Sequence, residues 1–234
     1  MKVFSFSLFG DNPIYKIGLL KNIDFILKNF PEWKVFVYIP KNYDNEYINN
    51  IKEKYNNVLL FEMIDEQYYN CTWRFQAISE NFVDVMVCRD ADSRVSERDL
   101  AAINEWLISD YDYNIIRDHP IGHHWRMNAG MWGAKKNDFI IDIKNLLEDF
   151  KKNNQHLLGN NTFDQIFLGN VIYPKIYTNT LVHDEYYRYE IQAKPIEHDR
   201  KSNDFAFIGE SVDEFDVPRG DQRSPIIRIY NSKI

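Results

Sequence analysis

The chain has 234 residues, enough for one large domain or two tightly joined ones. Its 44% hydrophobic and 15% aromatic content is ample for a core, and a formal net charge of -7 argues against a general nucleic-acid binder, which would usually be basic. Two cysteines, Cys71 and Cys88, give neither a disulfide framework nor a zinc spacing. No run of about 20 apolar residues marks a membrane helix. The opening MKVFSFSLFGDNP reads as a first strand rather than a signal peptide, because Asp11, Asn12 and Pro13 interrupt its apolar run. A soluble protein of a reducing, cytoplasmic compartment is expected.

The first half alternates strand and helix signals. Val3 to Phe9 predicts a strand ending at Gly10-Asp11. Ile17, Leu20, Ile23, Ile26 and Leu27 predict a helix from Ile14 to Phe30, closed by Pro31. Val35 to Ile39 is a second strand, Glu46 to Tyr55 a helix and Val58 to Phe61 a third strand. Phe75 to Asn81 reads as helical and Phe82 to Cys88 as a fourth strand. Such alternation implies a mainly parallel sheet with helices on both faces and ligands beyond the carboxyl ends of its strands.

The second half is less regular. Ser96 is a cap for a helix through Leu100, Ile103, Trp106 and Leu107. Asn114 to Arg117 is a short strand, 118 to 128 a polar loop and Ala129 to Gly133 a small strand. Helices are expected over Ile140 to Phe150 and Phe163 to Leu168, and a loop-rich stretch from Thr180 onward. Neither a repeat nor a linker divides the chain.

The most informative segment is Val85-Met86-Val87-Cys88-Arg89-Asp90-Ala91-Asp92-Ser93-Arg94. An apolar strand ends in two carboxylates one residue apart, so Asp90 and Asp92 fall on one side of the chain. Two hard oxygen ligands there suit a divalent cation, and Arg89 and Arg94 add fixed positive charge. A ligand carrying phosphates and a metal together fits this set. A solvated turn after a buried strand, or the nucleophile motif of an aspartyl phosphohydrolase, would produce the same pattern.

Moving a sugar from a nucleotide diphosphate needs a donor pocket, charge neutralisation on the departing diphosphate and a positioned acceptor hydroxyl. Asp90 is a candidate for a ribose hydroxyl or the metal, Asp92 for the metal, and His183 for a third ligand from a distant part of the chain. A mixed carboxylate and imidazole set favours Mn²⁺ over Ca²⁺. Asn128, beside small Ala129 and Gly130, offers donors and an acceptor to sugar hydroxyls. Trp132 is by default a core residue, and His119 and His123 are loop residues open to acceptor or phosphate contacts. Asp164 and Gln165 sit in the first turn of a helix, where capping also explains the aspartate.

The order of these motifs resembles that of A-type-fold (GT-A) glycosyltransferases with a D-x-D at a strand end, and in particular a group of short putative members. The resemblance is carried by Ser5-Phe6-Ser7-Leu8-Phe9-Gly10, Trp73-Arg74-Phe75, Arg89-Asp90-Ala91-Asp92-Ser93-Arg94, Glu105-Trp106-Leu107-Ile108-Ser109 and Arg117-Asp118-His119-Pro120. It continues through Gly130-Met131-Trp132-Gly133, Asp164-Gln165-Ile166-Phe167-Leu168 and His183-Asp184-Glu185. Asn128-Ala129-Gly130 and Asp164-Gln165 are also similar to elements of glycogenin-type retaining transferases.

The resemblance implies a single α/β GT-A-like domain with a mainly parallel mixed sheet. Residues 1–95 would form a Rossmann-like nucleotide-sugar-binding half and 96–234 an acceptor half. It implies Mn²⁺ or Mg²⁺ held by Asp90, Asp92 and His183, and donor contacts from Ser7, Phe9, Arg74, Arg89, Asp90, Ala91 and Asp92. Asp164, Gln165, Asp118 and Asn128 fall in the reacting region, with Asp118 or Asp164 placed as a base in an inverting reaction. The partners are then a nucleotide-diphosphate sugar and a glycan or other hydroxyl acceptor, with no nucleic acid and no transmembrane segment. His183 lacks the Gly and Lys that grip the diphosphate in that family, so Arg74, Arg89 or Arg94 is the expected substitute. A non-catalytic nucleotide-sugar-binding module is the alternative. The phosphohydrolase is disfavoured because its D-x-D belongs on the first strand.

Overall fold

The segment Lys2–Cys88 folds as its hydrophobic pattern requires, into β1 (Lys2–Ser7), α1 (Pro13–Asn29), β2 (Lys34–Pro40), α2 (Asn45–Lys54), β3 (Val58–Met63) and β4 (Val85–Cys88). Then come α3 (Glu97–Ile108), β5 (Tyr113–Arg117), β6 (Trp132–Lys135), α4 (Ile143–Asn153), α5 (Phe163–Phe167), α6 (Tyr173–Ile176), β7 (Thr180–Asp184) and α7 (Ser224–Ser232). This computed structural model describes residues 1–201 and 204–232. The strands form one seven-stranded sheet in the order β3-β2-β1-β4-β6-β5-β7, in which β6 runs antiparallel to both neighbours and the other pairings are parallel.

Strand alternation builds two apolar layers. Phe4, Phe6, Val35, Val37 and Val87 face one way and pack with Leu19, Ile23 and Ile26 of α1 and Trp106 of α3. Val3, Phe36, Met86 and Cys88 face the other way, onto Trp73, Phe75, Trp132 and Phe167. Strands covered on both faces read as near-continuous hydrophobic runs, as β2 does. Truncating a fully buried tryptophan such as Trp132 would cost about 3–5 kcal/mol.

Local chemistry sets the ends. Asn12 caps α1 by accepting from Ile14 N at 3.0 Å, with Pro13 in the first turn. Ser96 and Asp99 form a reciprocal capping box at the start of α3. Several predicted bounds move. The turn before β4 is a 3₁₀ segment, Gln67–Ser79, longer than the expected helix. β4 begins at Val85 because Phe82 is half exposed at the surface. β6 begins at Trp132, leaving Ala129–Met131 outside the strand.

Two elements were not predicted. β7 is fully buried, so it shows no alternation, and its polar His183 and Asp184 are satisfied internally rather than by water. α7 follows a stretch of turns that conceals its periodicity. Among the described residues no helix is long and apolar enough to cross a membrane.

Candidate functional site: a cavity at the carboxyl ends of β1 and β4

Sheet register builds the site. β1 and β4 are parallel with Ser5 opposite Cys88, so Ser7 and Asp90 lie side by side where the two strands run out. β4 and β6 are antiparallel with Cys88 opposite Trp132, which brings Gly130 against Asp90. A cavity of about 440 Å³ opens there, lined by Ser7, Phe9, Tyr15, Cys71, Arg74, Asp90, Ala91, Asp92, Asn161, Asp164, Gln165, Gly209 and Ser211. Ser7, Phe9, Arg74, Asp90, Ala91, Asp92, Asp164 and Gln165 were singled out in the sequence, from four separate segments.

Glycine is required on two sides of the D-x-D turn. A β-carbon on Gly130 would lie 1.8 Å from Asp90 Oδ2, and one on Gly18 of α1 would lie 2.0 Å from the carbonyl oxygen of Ala91. The small residue at 130 therefore admits the Asp90 carboxylate itself, rather than a ligand.

Arg74 organises the charges. Its guanidinium pairs with Asp90 and, at 3.2 Å, with Asp164 Oδ2, and NH1 also donates to Arg89 O at 3.4 Å. Burial opposes its charge, but Asp90 and Asp164 hold it protonated. Asp164 is pushed up to about 6 by burial, against the opposing pull of Arg74. Asp92 is also raised, first by burial and then by the Asp90 charge. Its side chain meets the Ser211 hydroxyl in a long contact of 3.4 Å, which leaves lone pairs free. The Cys71 thiol is raised to about 12 by burial and stays protonated. Three carboxylates thus face one guanidinium among the lining residues. That excess, with free oxygens on Asp92, fits a divalent cation whose remaining ligands come from phosphate and water.

Gln165 is anchored rather than free. Its Oε1 accepts from Ala129 N at 3.0 Å, so its amide NH₂ is the end left to a ligand. Ser7 Oγ accepts from Arg74 N at 3.1 Å and so holds the middle of the 3₁₀ segment that carries Arg74.

Five expected residues lie elsewhere. His183 was expected as a metal ligand, but it sits on β7 opposite Ile116 of β5. From β4 to β7 is three strand spacings in this sheet, about 14 Å. Its Nδ1 accepts from Asn114 Nδ2 at 3.0 Å and its Nε2 donates to Glu105 at 2.9 Å, so neither nitrogen is free. Burial lowers its pKa to about 4. Among the described residues no group of three or more His, Cys, Asp or Glu side chains is placed to hold a metal ion. Without an imidazole, the ground for preferring Mn²⁺ over Ca²⁺ disappears.

Arg89, expected on the donor, instead ties β4 to α3. Its Nε donates to Asp99 of the capping box at 2.7 Å and NH1 to Cys88 O at 2.7 Å. Arg94 is engaged by Asp216 and by the carbonyl of Asp213. Of the three arginines expected to grip phosphate, Arg74 alone lines the cavity. Asp118 is buried under Arg98 at 2.7 and 2.8 Å and Arg200 at 2.6 Å, and it accepts from Ile208 N at 3.0 Å. Burial raises its pKa, but the two arginines and the backbone donor outweigh that and hold it low. It is therefore a permanently ionised anchor and no base for an acceptor. Asn128 is buried, its Nδ2 pointing to Ile116 O at 3.4 Å.

Sequence reasoning missed Tyr15, Cys71, Gly209 and Ser211 as lining residues. The last two come from a segment that closes over the D-x-D. Val212 N donates to Asp92 O at 3.0 Å, and Asp216 binds both Arg94 and Lys21 at 2.6 Å. Only tertiary folding joins positions this far apart, so no local pattern marks them. Gly209, at φ +84°, was the one available signal.

No family profile matches the sequence, and no curated protein is significantly similar to it. Solved structures do match. A glycosyltransferase involved in glycosylation of the major capsid of PBCV-1 superposes with a TM-score of 0.50 at 15% identity, over 79% of this chain and 82% of that one. The galactosyltransferase LgtC, solved with donor and acceptor sugar analogues, superposes with a TM-score of 0.53 at 10% identity, over 79% and 73%. GlyE of Streptococcus pneumoniae TIGR4 gives 0.50 at 14% identity over 77% of this chain and 45% of its own length. The chain is a single α/β domain with the A-type glycosyltransferase fold.

Proposed function

We propose that the protein is a glycosyltransferase that moves a sugar from a nucleotide-diphosphate donor to an acceptor hydroxyl. The observation that carries this reading is the convergence of Asp90, Asp92, Arg74 and Asp164 on one cavity at the carboxyl ends of β1 and β4. Open α/β sheets bind nucleotides at that edge. The fold shared with glycosyltransferases supports the same reading.

Ser7, Phe9 and Tyr15 line the end of the cavity formed by β1 and α1, suited to the nucleoside. Asp90 and Asp92 would hold Mg²⁺ or Mn²⁺ together with the diphosphate oxygens. The cation would supply Lewis-acid stabilisation of the departing diphosphate. Arg74, paired with both Asp90 and Asp164, offsets part of the negative charge gathered there. The Gln165 amide and Asn161, which line the same cavity, would meet donor-sugar hydroxyls. In the transfer the acceptor oxygen bonds to the anomeric carbon, the bond from that carbon to the phosphate oxygen breaks, and the acceptor proton leaves. Asp164, with its pKa near 6, is the carboxylate suited to take that proton. Residues 1–95 would thus supply the nucleotide and metal contacts, and the later residues the donor-sugar and acceptor contacts.

The test is incubation with a panel of nucleotide-diphosphate sugars and Mg²⁺ or Mn²⁺, with detection of released nucleoside diphosphate. Release from at least one donor, lost in Asp92→Asn, is the expected result. No release from any donor, with no nucleotide binding, would refute the reading.

A further inference from the structure

A second cavity of about 380 Å³ is lined by His119, Ile121, Gly122, His123, Phe207, Gly209, Asp221, Gln222 and Pro225. Gly209 lines both cavities, so the two share a wall. That glycine cannot be replaced simply. Its φ is +84°, and a β-carbon would meet Met131 Sδ at 2.6 Å and His123 Nε2 at 3.4 Å.

The second cavity has a built polar interior. His123 is 5% exposed, and its Nδ1 accepts from Asp118 N at 3.0 Å. Nδ1 is therefore unprotonated, the proton sits on Nε2, and Nε2–H has no partner among the described residues. His119 is fully committed. Its Nδ1 accepts from Ile121 N and Gly122 N, at 3.1 and 2.7 Å, and its Nε2 donates to Gln222 O at 2.7 Å. Both rings pack on Phe207, at centroid distances of 4.6 and 5.5 Å. Asp221 contributes a carboxylate, one oxygen of which accepts from Ser224 N at 3.2 Å. Gln222 is held by its own amide, which donates to Ser211 O and Arg219 O at 2.8 and 2.9 Å, and the remaining side chains of the wall are apolar, with Ile121 65% exposed at the rim.

The charge of a suitable occupant follows from the lining. No lining residue is a cation. Arg223 is paired with Glu210 and Asp204, and Arg228, whose charge reaches Asp221, lies outside the lining. The N-terminus of α7, which would otherwise favour an anion, is already met by Asp221. What remains is one buried N–H donor, the Asp221 carboxylate and the Gln222 amide oxygen as acceptors, and an apolar surface between them. Ligand sites of this kind take a body with an apolar face and a few hydroxyls.

We infer that this second cavity is the acceptor subsite and that it takes an uncharged sugar residue, one hydroxyl accepting from His123 Nε2–H and another donating to Asp221, with the ring face against the Ile121 and Phe207 side. The inference rests on the glycosyltransferase reading for the word acceptor, since the two cavities adjoin at Gly209 and an occupant of one lies next to an occupant of the other.

The experiment uses two independent readouts on the full chain. Affinity for a nucleoside diphosphate with Mg²⁺ reports the first cavity and judges the glycosyltransferase reading. Imidazole NMR signals of His123, assigned among the six histidines by a His123→Gln spectrum, report the second. Methyl glycosides of glucose, galactose and mannose, and the corresponding uronates, are titrated to roughly 100 mM, the weak range expected of a single sugar. At least one neutral glycoside is expected to shift the His123 signals, with the uronates at least tenfold weaker. Ile121→Trp, which fills the rim, is expected to weaken the neutral glycoside at least tenfold and leave nucleotide affinity unchanged. Asp221→Asn, which keeps the cap on α7, should weaken it as well. The proposal is overturned if no neutral glycoside moves His123, if uronates bind better, or if Ile121→Trp has no effect. Each of these outcomes holds whether or not the nucleotide binds.

Discussion

The α-carbon of Gly130 lies directly beneath the carboxylate of Asp90, so close that a β-carbon there would stand 1.8 Å from Oδ2. The antiparallel pairing of β4 with β6 creates this contact, and it fixes the first aspartate of the D-x-D from below while Arg74 holds it from the side. Gly130→Ala must displace the carboxylate or the backbone. The expected cost is about 1–3 kcal/mol of overpacking, seen as a fall in Tm of roughly 2–12 °C for a chain of this size, with loss of nucleotide-diphosphate affinity. Gly159→Ala is the control, because a β-carbon there meets nothing within 4 Å. Equal behaviour of the two variants would contradict the contact.

Asp118 separates an anchor from a base. Its carboxylate is 2% exposed, holds Arg98, Arg200 and Ile208 N, and through its own N–H orients His123. Asp118→Asn breaks a buried charge network and is expected to destabilise by about 3–5 kcal/mol. The folded fraction, at saturating acceptor, should keep its turnover within about tenfold, well short of the 10²–10⁴ of a lost general base. Urea unfolding beside a rate measurement distinguishes the two.

The signal in the sequence was strongest where function depends on residues close together in the chain. Asp90-Ala91-Asp92 stands out because two carboxylates one residue apart close a buried apolar strand, a pattern that a solvated turn also produces and that the accompanying motifs single out as a site. Arg74, Ser7 and Asp164 came with motif order. His183 is the instructive failure. As a histidine beside two acids it looks like a ligand, yet its neighbours in space are Asn114 and Glu105, supplied by β5 and α3. Arg89 and Asp118 failed alike, since a charged residue in a polar motif gives no sign that its partner is a buried counter-ion. Gly209 and Ser211 reach the site on a segment that Val212 N ties to Asp92 O and that Asp216 docks on Arg94 and Lys21. That is a fact of the assembled fold, as is the burial that hides β7.

His183→Ala therefore tests whether β7 contributes to a metal site. Divalent-ion dependence is expected to be unchanged, while stability falls by about 1–3 kcal/mol as Asn114 and Glu105 lose a buried partner. A tenfold rise in the ion concentration needed for activity, the size expected for lost ligand support, would return His183 to the metal.

Asp164 predicts a pH signature. Burial raises its carboxyl from the ordinary 3.8 to about 6, so the folded state holds a proton that the unfolded chain releases near 4. The associated stability is fully present below the unfolded pKa and is lost as pH rises through about 6. A shift of this size corresponds to about 3 kcal/mol. Unfolding of the ligand-free protein from pH 4 to 7 should show this decline, and Asp164→Asn should remove that part of it. If Asp164 also accepts the acceptor proton, transfer rises over the same interval as the carboxylate ionises. A variant with an unchanged stability profile would place the titration elsewhere.

The most direct measurement of the central claim is calorimetric titration of a nucleoside diphosphate into the wild type and Asp92→Asn, each with EDTA and with Mg²⁺ or Mn²⁺. Two carboxylates and a diphosphate sharing one cation predict tight binding only for the wild type with the ion present, and at least a tenfold loss, about 1.4 kcal/mol, in the other three conditions. Equal affinity in all four conditions would contradict the account.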